Sequence, residues 1–270
     1  MLRGVAQMVA RMVWDHEVAG SRPVTPTIIL YIVKRNLSYF TRGFCIPNFS
    51  YGEAAMTKQI DAVIFDLDGT LLDSMWVWDQ IDIDYFKSIN VEIPETLKDE
   101  INHLSFIDTA KYFKTRFNLS ESVQSILDTW NSMALNFYSS SVKLKPGALD
   151  YLIHLKSKDI KIGLATSNSH LLLNAALKHT KTEHFFDAIV TSDDINASKN
   201  TPAIYLETAS RLKAHPSRCL VFEDILEAVK GAKLANMHVF AVHDKYSEYQ
   251  KEDLIKESDK YIYSFYHLLN

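Results

Sequence analysis

Five short apolar runs, separated by stretches of helical period, restrict this chain to very few architectures. The runs are Ala62-Val63-Ile64-Phe65, Ile160-Lys161-Ile162-Gly163-Leu164-Ala165, Ala188-Ile189-Val190, Leu220-Val221-Phe222 and Val239-Phe240-Ala241-Val242. Near-continuous apolar runs of this length are what strands buried on both faces require. Between them, Leu149, Leu152 and Ile153 give an apolar helix face after Lys145-Pro146-Gly147. Ile204, Ala209 and Leu212 do the same after Pro202, which suits a helix start. Such repeated strand–helix units predict an α/β fold, a Rossmann-like parallel sheet with helices on both faces. Ligands of these sheets gather at the carboxyl ends of the strands. Here those ends carry Asp66, Asp68, Thr166, Asp193, Glu223 and Asp224. The tail predicts a solvated helix from Lys245 to Lys260, a short strand at Tyr261-Ile262-Tyr263 and a short helix around Leu268-Leu269.

The alternation is interrupted once. From Asp73 to Ser141 no strand-like pattern occurs. Trp78, Ile81 and Tyr85 recur at helical spacing, then Ala110, Phe113 and Phe117, then Val123, Ile126, Leu127, Trp130, Ala134 and Phe137. This aromatic-rich stretch predicts an inserted all-helical unit. The expected organisation is a core of residues 56–74 and 143–270, a helical insertion at 75–142, and an extraneous or disordered extension at 1–55. The extension sustains no period and is punctuated by Pro23, Pro26, Gly43 and Pro47, whereas Met56-Thr57-Lys58 reads as an ordinary bacterial start. Its wording around Gly20-Ser21-Arg22-Pro23 resembles reading frames that run through transfer-RNA genes. A mis-assigned start, a targeting segment and an accessory element are the three readings, and all leave the chemistry after Met56.

Composition excludes several classes. A formal charge of −4 does not suggest the basic face that nucleic acid calls for, and no run of Lys and Arg stands out. No apolar run approaches the roughly 20 residues of a membrane span. The two cysteines, Cys45 and Cys219, lack metal-ligand spacing and favour a reducing cytoplasm, with Cys219 a buried, inert thiol. The sequence carries no signal for an oligomeric state.

The chemistry begins at Asp66-Leu67-Asp68-Gly69-Thr70, just beyond the first strand. In extended backbone, residues two apart face the same side, so two carboxylates repel there unless something compensates them, and a divalent cation does so readily. Gly69 permits a tight turn. An ionised Asp attacks phosphorus, and a second carboxyl protonates a leaving oxygen and then activates water. An acidic turn capping a strand is the competing reading. An EF-hand fits worse, because its glycine belongs at the sixth position.

The motif resembles the first signature of the haloacid dehalogenase-like superfamily. Three others follow in order: Ala165-Thr166-Ser167-Asn168, Lys199 within Ala197-Ser198-Lys199-Asn200-Thr201-Pro202, and Phe222-Glu223-Asp224. Singly, each has a bland reading: a helix cap, a solvated lysine, acids at a helix start. Together, in order and each near a strand end, they are specific from about Ile60 to Val242.

The resemblance implies a Mg²⁺-dependent enzyme acting on a small phosphorylated metabolite. Asp66 would be the nucleophile, forming an aspartyl-phosphate, and Asp68 the acid and base. Thr166, Ser167, Asn168 and Lys199 would bind the phosphoryl group. Asp66, Asp68 through its backbone carbonyl, Asp224 and Glu223 would hold Mg²⁺. The inserted helices are similar to the mobile cap of the sugar-phosphate branch, near β-phosphoglucomutase and phosphosugar phosphatases. The acid at Asp68 favours phosphoryl transfer over dehalogenation.

Departures bear on the choice between phosphatase and mutase. The mutase carries His, Arg and Lys where this chain has Trp78, Phe106 and Ser169. A mutase must grip a bisphosphate, so the missing cations favour hydrolysis, with the mutase and a non-catalytic binding module as alternatives. Ile225 stands in place of a usual Ser, Asn200 in place of a Pro, and Ala228 and Asn236 in place of glycines. His170 is expected at a helix-start surface position, and Trp76 and Trp78 in cap packing.

Overall fold

A computed structural model describes residues 60–101, 104 and 106–269. The expected extension at 1–55 lies outside these residues.

Six strands form one wholly parallel sheet: β1 (Ala62–Phe65), β4 (Lys161–Thr166), β5 (Ala188–Thr191), β6 (Cys219–Glu223), β7 (His238–Val242) and β8 (Lys260–Ile262). Their order is β5-β4-β1-β6-β7-β8, so β1 lies between β4 and β6 and the strand order reverses beside it. All five runs form strands, and the sixth strand comes from the tail.

The pleat divides the core in two. Val63, Phe65, Leu220, Phe222, Phe240 and Val242 pack on one face of the sheet. Ala62, Ile64, Cys219, Val221, Val239 and Ala241 pack on the other. This is the two-residue period of a strand buried on both sides. On the first face Phe65 and Phe222 stack at 5.0 Å, with Tyr151 and Phe265 around them.

Helices α5 (Ala148–Ser157), α6 (His170–Thr180), α8 (Ala203–Leu212) and α9 (Leu226–Leu234) connect the strands, with a single turn, α7, at Ser192–Ile195. In α8, Ile204, Ala209 and Leu212 are buried as expected. In α5 the expectation is corrected. Leu149 and Ile153 are exposed, and the buried face is Ala148, Tyr151, Leu152 and Leu155. The aromatic cluster on the sheet captures Tyr151, and helical geometry then rotates Leu149 and Ile153 outward. The charged tail forms a 3-10 helix (Lys245–Gln250) and then α10 (Lys251–Glu257), and the chain closes with a 3-10 helix at Phe265–Leu268.

The insertion leaves and re-enters the core at one point. Strand β2 (Leu72–Asp73) pairs antiparallel with β3 (Lys143–Leu144), and the Lys145 amide donates to Leu71 O. Between them lie α1 (Trp76–Ser88), α2 (Leu97–Ile101), α3 (Phe106–Arg116) and α4 (Val123–Ser140). Tyr85, Phe86, Phe113 and Trp130 form their buried centre, with Phe117 edge-on to Phe86 at 4.8 Å. Aromatic pairs of this kind add about 0.5–1.5 kcal/mol each beyond area burial. In α4 the buried line runs Ile126, Trp130, Ala134 and Tyr138. Phe137, the residue expected from spacing, is half-buried against Trp76. Among the described residues no helix is long and apolar enough to cross a membrane.

Candidate active site

Strand register sets the site. Phe65 pairs with Phe222 and with Leu164, so the residues that follow β1, β6 and β4 emerge side by side at one sheet end. The Asp66 amide donates to Phe222 O at 3.0 Å, continuing the ladder by one residue. The chain then turns back, with the Leu71 and Leu72 amides both donating to Leu67 O. Gly69 makes that turn at φ +77°, where a Cβ would lie 2.3 Å from Asp224 Oδ2. Only a glycine lets the loop come this close to the acidic pair.

Three carboxylates meet there. Asp66, Glu223 and Asp224 bring one oxygen each to within 4.8 Å of one another, and all three are buried. Lys199 reaches in from the loop between α7 and α8. Its Nζ lies 2.6 Å from Asp66 Oδ1 and 2.5 Å from Glu223 Oε1. Tyr205 donates to the same Glu223 oxygen at 2.8 Å, and Thr70 donates to Asp224 Oδ1 at 3.0 Å.

Burial raises the Asp66 carboxyl well above the usual carboxylate range. Lys199 pulls it down, and Glu223 and Asp224 push it up again. Burial, then the Glu223 charge, pushes Asp224 up to about 7, against the pull of Lys199 and the Thr70 hydrogen bond. Burial alone would discharge Lys199, but Asp66 and Glu223 hold its ammonium above the ordinary value.

The donor set fits a hard divalent cation. Three buried carboxyl groups face a single ammonium, and their burial and mutual repulsion push Asp66 and Asp224 up, a strain that a cation relieves. Glu223 Oε2 is buried with no hydrogen-bond partner. Such an oxygen is costly unless something binds it. All-oxygen ligation of this kind suits Mg²⁺.

Asp68 has a different setting. Its carboxylate lies outside that trio and is half-exposed. Oδ1 accepts from Ser74 Oγ and Tyr138 Oη, both at 2.6 Å, and Oδ2 accepts from Asn168 Nδ2 at 2.7 Å. Thr166 is buried at the end of β4, and its Oγ1 accepts from the Asn168 amide at 3.0 Å. Ser167 is exposed, and its Oγ pairs with Ser192 Oγ instead of the carboxylates. Asp193 also stays outside, exposed on α7. His170 is exposed and bonded to Asp194, as its helix-start position predicts. Cys219 is buried, and burial pushes its thiol up to about 11.

Four contributors were not legible as site residues. Thr70 was visible only as part of the first motif. Ser74 and Tyr205 gave no signal. Tyr138 is four residues beyond Ala134, a spacing as good as that of Phe137 at three, so the signal was present but not decisive. The departures are accommodated locally. Ile225 provides no side-chain cap, and Gln250 Oε1 accepts from the Leu226 amide in its place. Asn236 adopts φ +58°, which Asn tolerates. The glycine that α9 requires is Gly231, where a Cβ would meet Lys199 O at 2.0 Å.

Comparison with known proteins identifies the family. Residues 63–242 match the family described as haloacid dehalogenase-like hydrolase. Hexitol phosphatase B of Escherichia coli K12 is 28% identical over 191 residues, covering 68% of this chain and 84% of that protein. The phosphorylated carbohydrates phosphatase of Thermotoga maritima is 28% identical over 178 residues, covering 66% and 82%. A Thermotoga maritima structure, provisionally assigned as a β-phosphoglucomutase, superposes with a TM-score of 0.67 at 25% identity. That match covers 75% of this chain and 94% of the other.

Proposed function

The chain belongs to the haloacid dehalogenase-like hydrolases, and on that premise we propose that it is a Mg²⁺-dependent phosphatase of small sugar or polyol phosphates. The names of the two phosphatase relatives support the substrate class. One observation carries the chemistry. Two carboxyl groups two residues apart have opposite surroundings: Asp66 is sealed beside Lys199 and the Glu223/Asp224 pair, while Asp68 stands half-exposed in a cradle of neutral donors. Environments that differ this way assign different roles to like groups.

In this reading an Asp66 oxygen attacks phosphorus as the bond to the sugar oxygen breaks, and Asp68 gives that oxygen its proton. Asp68 then takes a proton from water as the water attacks the aspartyl-phosphate, releasing phosphate and restoring Asp66. Lys199 and Thr166 offset charge on the phosphoryl oxygens, with Asn168 and Ser167 lining the loop beside them. Asp66, Asp224 and Glu223, with the Asp68 carbonyl, would hold Mg²⁺, which supplies charge neutralisation and phosphate orientation. Residues 75–142 act as the cap, 56–74 and 143–270 as the core, and 1–55 take no part. The compartment favoured by the scattered cysteines is the cytoplasm.

Hydrolysis is preferred to isomerisation for a physical reason. Phe106 and Ser169 stand where the resembled mutase carries Arg and Lys, and the Phe106 ring meets Trp78 edge to face at 5.7 Å, beside Trp130. An aromatic cluster offers no counter-charge to a second phosphate.

The test follows phosphate release and phosphosugar interconversion together, over a panel of sugar and polyol phosphates, with Asp66→Asn as control. Mg²⁺-dependent release, absent in the control, is expected. Isomerisation without net release would establish the mutase instead. A folded, Mg²⁺-binding protein that turns nothing over would indicate a binding module.

A further inference from the structure

The Asp68 carboxylate is held by three separate segments. Ser74 follows β2, where the chain departs into the helical insertion. Tyr138 lies on the last turn of α4, just before the chain returns. Asn168 lies in the loop between β4 and α6. Ser74 and Tyr138 converge on one oxygen at 2.6 Å each, and Asn168 takes the other. Tyr138 is wholly buried, so its hydroxyl is fixed by the packing of its ring and is not a substrate contact. Helix α4 also packs along α6. The donor from the insertion and the donor from the phosphate-side loop are therefore tied to two helices in contact.

We propose that Tyr138 is a positioning residue that sets the Asp68 carboxyl from the helical insertion, coupling the placement of those helices to proton delivery. A carboxyl with one donor on one oxygen and two on the other has little rotational freedom. Its remaining lone-pair directions are the ones open to a leaving oxygen or a water. Loss of the Tyr138 hydroxyl leaves Ser74 alone on Oδ1 and frees the group to swing. Burial, with the Asp68 charge next to it, raises the Tyr138 hydroxyl far above its ordinary value, so it remains a neutral donor throughout the working range.

The inference rests on Asp68 acting as the proton donor, and the test separates the two. kcat/KM is compared for wild type and Tyr138→Phe on an alkyl phosphate, such as a polyol phosphate, and on p-nitrophenyl phosphate. An alkoxide must be protonated as it leaves, whereas a nitrophenolate departs unaided. Phenylalanine keeps the buried ring, and thermal unfolding checks that the fold is intact. The expected result is a loss of about tenfold or more on the alkyl phosphate and less than about threefold on the aryl one. Ser74→Ala, which removes the other Oδ1 donor, is expected to show the same selectivity. Equal losses on both substrates, or no loss on either, with wild type active on both, overturn the role of Tyr138 alone. An Asp68→Asn variant that keeps full activity on the alkyl phosphate overturns the underlying reading and the proposal with it.

Discussion

Lys199 Nζ sits 2.6 Å from Asp66 Oδ1, and both side chains are closed off from solvent. A buried ion pair contributes little when intact, because desolvation offsets its attraction, but it is expensive to break. Here the second carboxylate on Lys199, Glu223, doubles the demand. The lysine is thus the counter-charge of the resting site, and in the proposed mechanism it also offsets charge on a phosphoryl oxygen.

Lys199→Met is therefore expected to lower kcat by about a hundredfold or more, the scale of losing one charge-stabilising donor. In EDTA it should also lose about 3 kcal/mol of stability, from the buried carboxylates left behind. Mg²⁺ should return part of that stability. Steady-state kinetics and denaturant melts with and without Mg²⁺ check both halves. Activity within fivefold of wild type would remove Lys199 from the phosphate site.

Gly69→Ala places a methyl group 2.3 Å from Asp224 Oδ2, at a backbone φ of +77°. Asp224 must move, so Mg²⁺ affinity should fall at least about tenfold, with about 1–3 kcal/mol of backbone strain. Calorimetric titration of Mg²⁺ measures this directly. An unchanged dissociation constant would argue against Asp224 as a ligand.

Gly231→Ala touches no proposed catalytic side chain. Its Cβ would lie 2.0 Å from Lys199 O and 3.0 Å from Thr201 O, so helix α9 and the lysine loop must part. A displacement of that size is expected to cost about tenfold or more in kcat/KM. A variant that loses stability but keeps its kcat/KM would show that the loop absorbs the shift.

Mg²⁺ binding should depend on pH through Asp224, whose carboxyl is pushed up to about 7 by burial and then by Glu223. Its ordinary value is 3.8, so its neutral form favours the metal-free fold. This group's contribution to stability is full below about 4 and is lost as pH rises toward about 7. Mg²⁺ needs the ionised form, so below 7 it must displace a proton, and affinity should weaken by up to about tenfold per pH unit. Titrations at pH 6 and pH 8, in buffers of different ionisation enthalpy, should show more proton release at the lower pH. Equal affinities would mean that Asp224 is already ionised.

Much of this was readable from sequence, for local reasons. Five of the six sheet strands read as short apolar runs, and Asp66 and Glu223 each follow one directly. Where the reading slipped, the competitor was tertiary. Leu149 and Ile153 are hydrophobic at helical spacing, yet both face solvent because Tyr151 fills the aromatic cluster against Phe65. Phe137 looked like the inward residue of α4, but the line Ile126–Trp130–Ala134 continues to Tyr138. A tyrosine is ambiguous in a hydrophobic pattern, since its ring seeks burial and its hydroxyl seeks a partner.

The sequence alone determined which residues end the strands and in what order the motifs occur. Apolar period and turn chemistry are properties of neighbours along the chain, so they are legible without the tertiary contacts they lead to. Which carboxylates share a pocket was decided only by the parallel register. It sets Phe65 against Phe222 and so brings Asp66 to Glu223 and Asp224 across more than 150 residues of chain. The outward setting of Asp68 was decided the same way. Its partners Ser74, Tyr138 and Asn168 belong to three segments that meet only when the insertion closes its β2–β3 junction over the sheet. Hydrogen bonds between remote side chains leave no periodic trace, because they depend on packing direction and not on spacing.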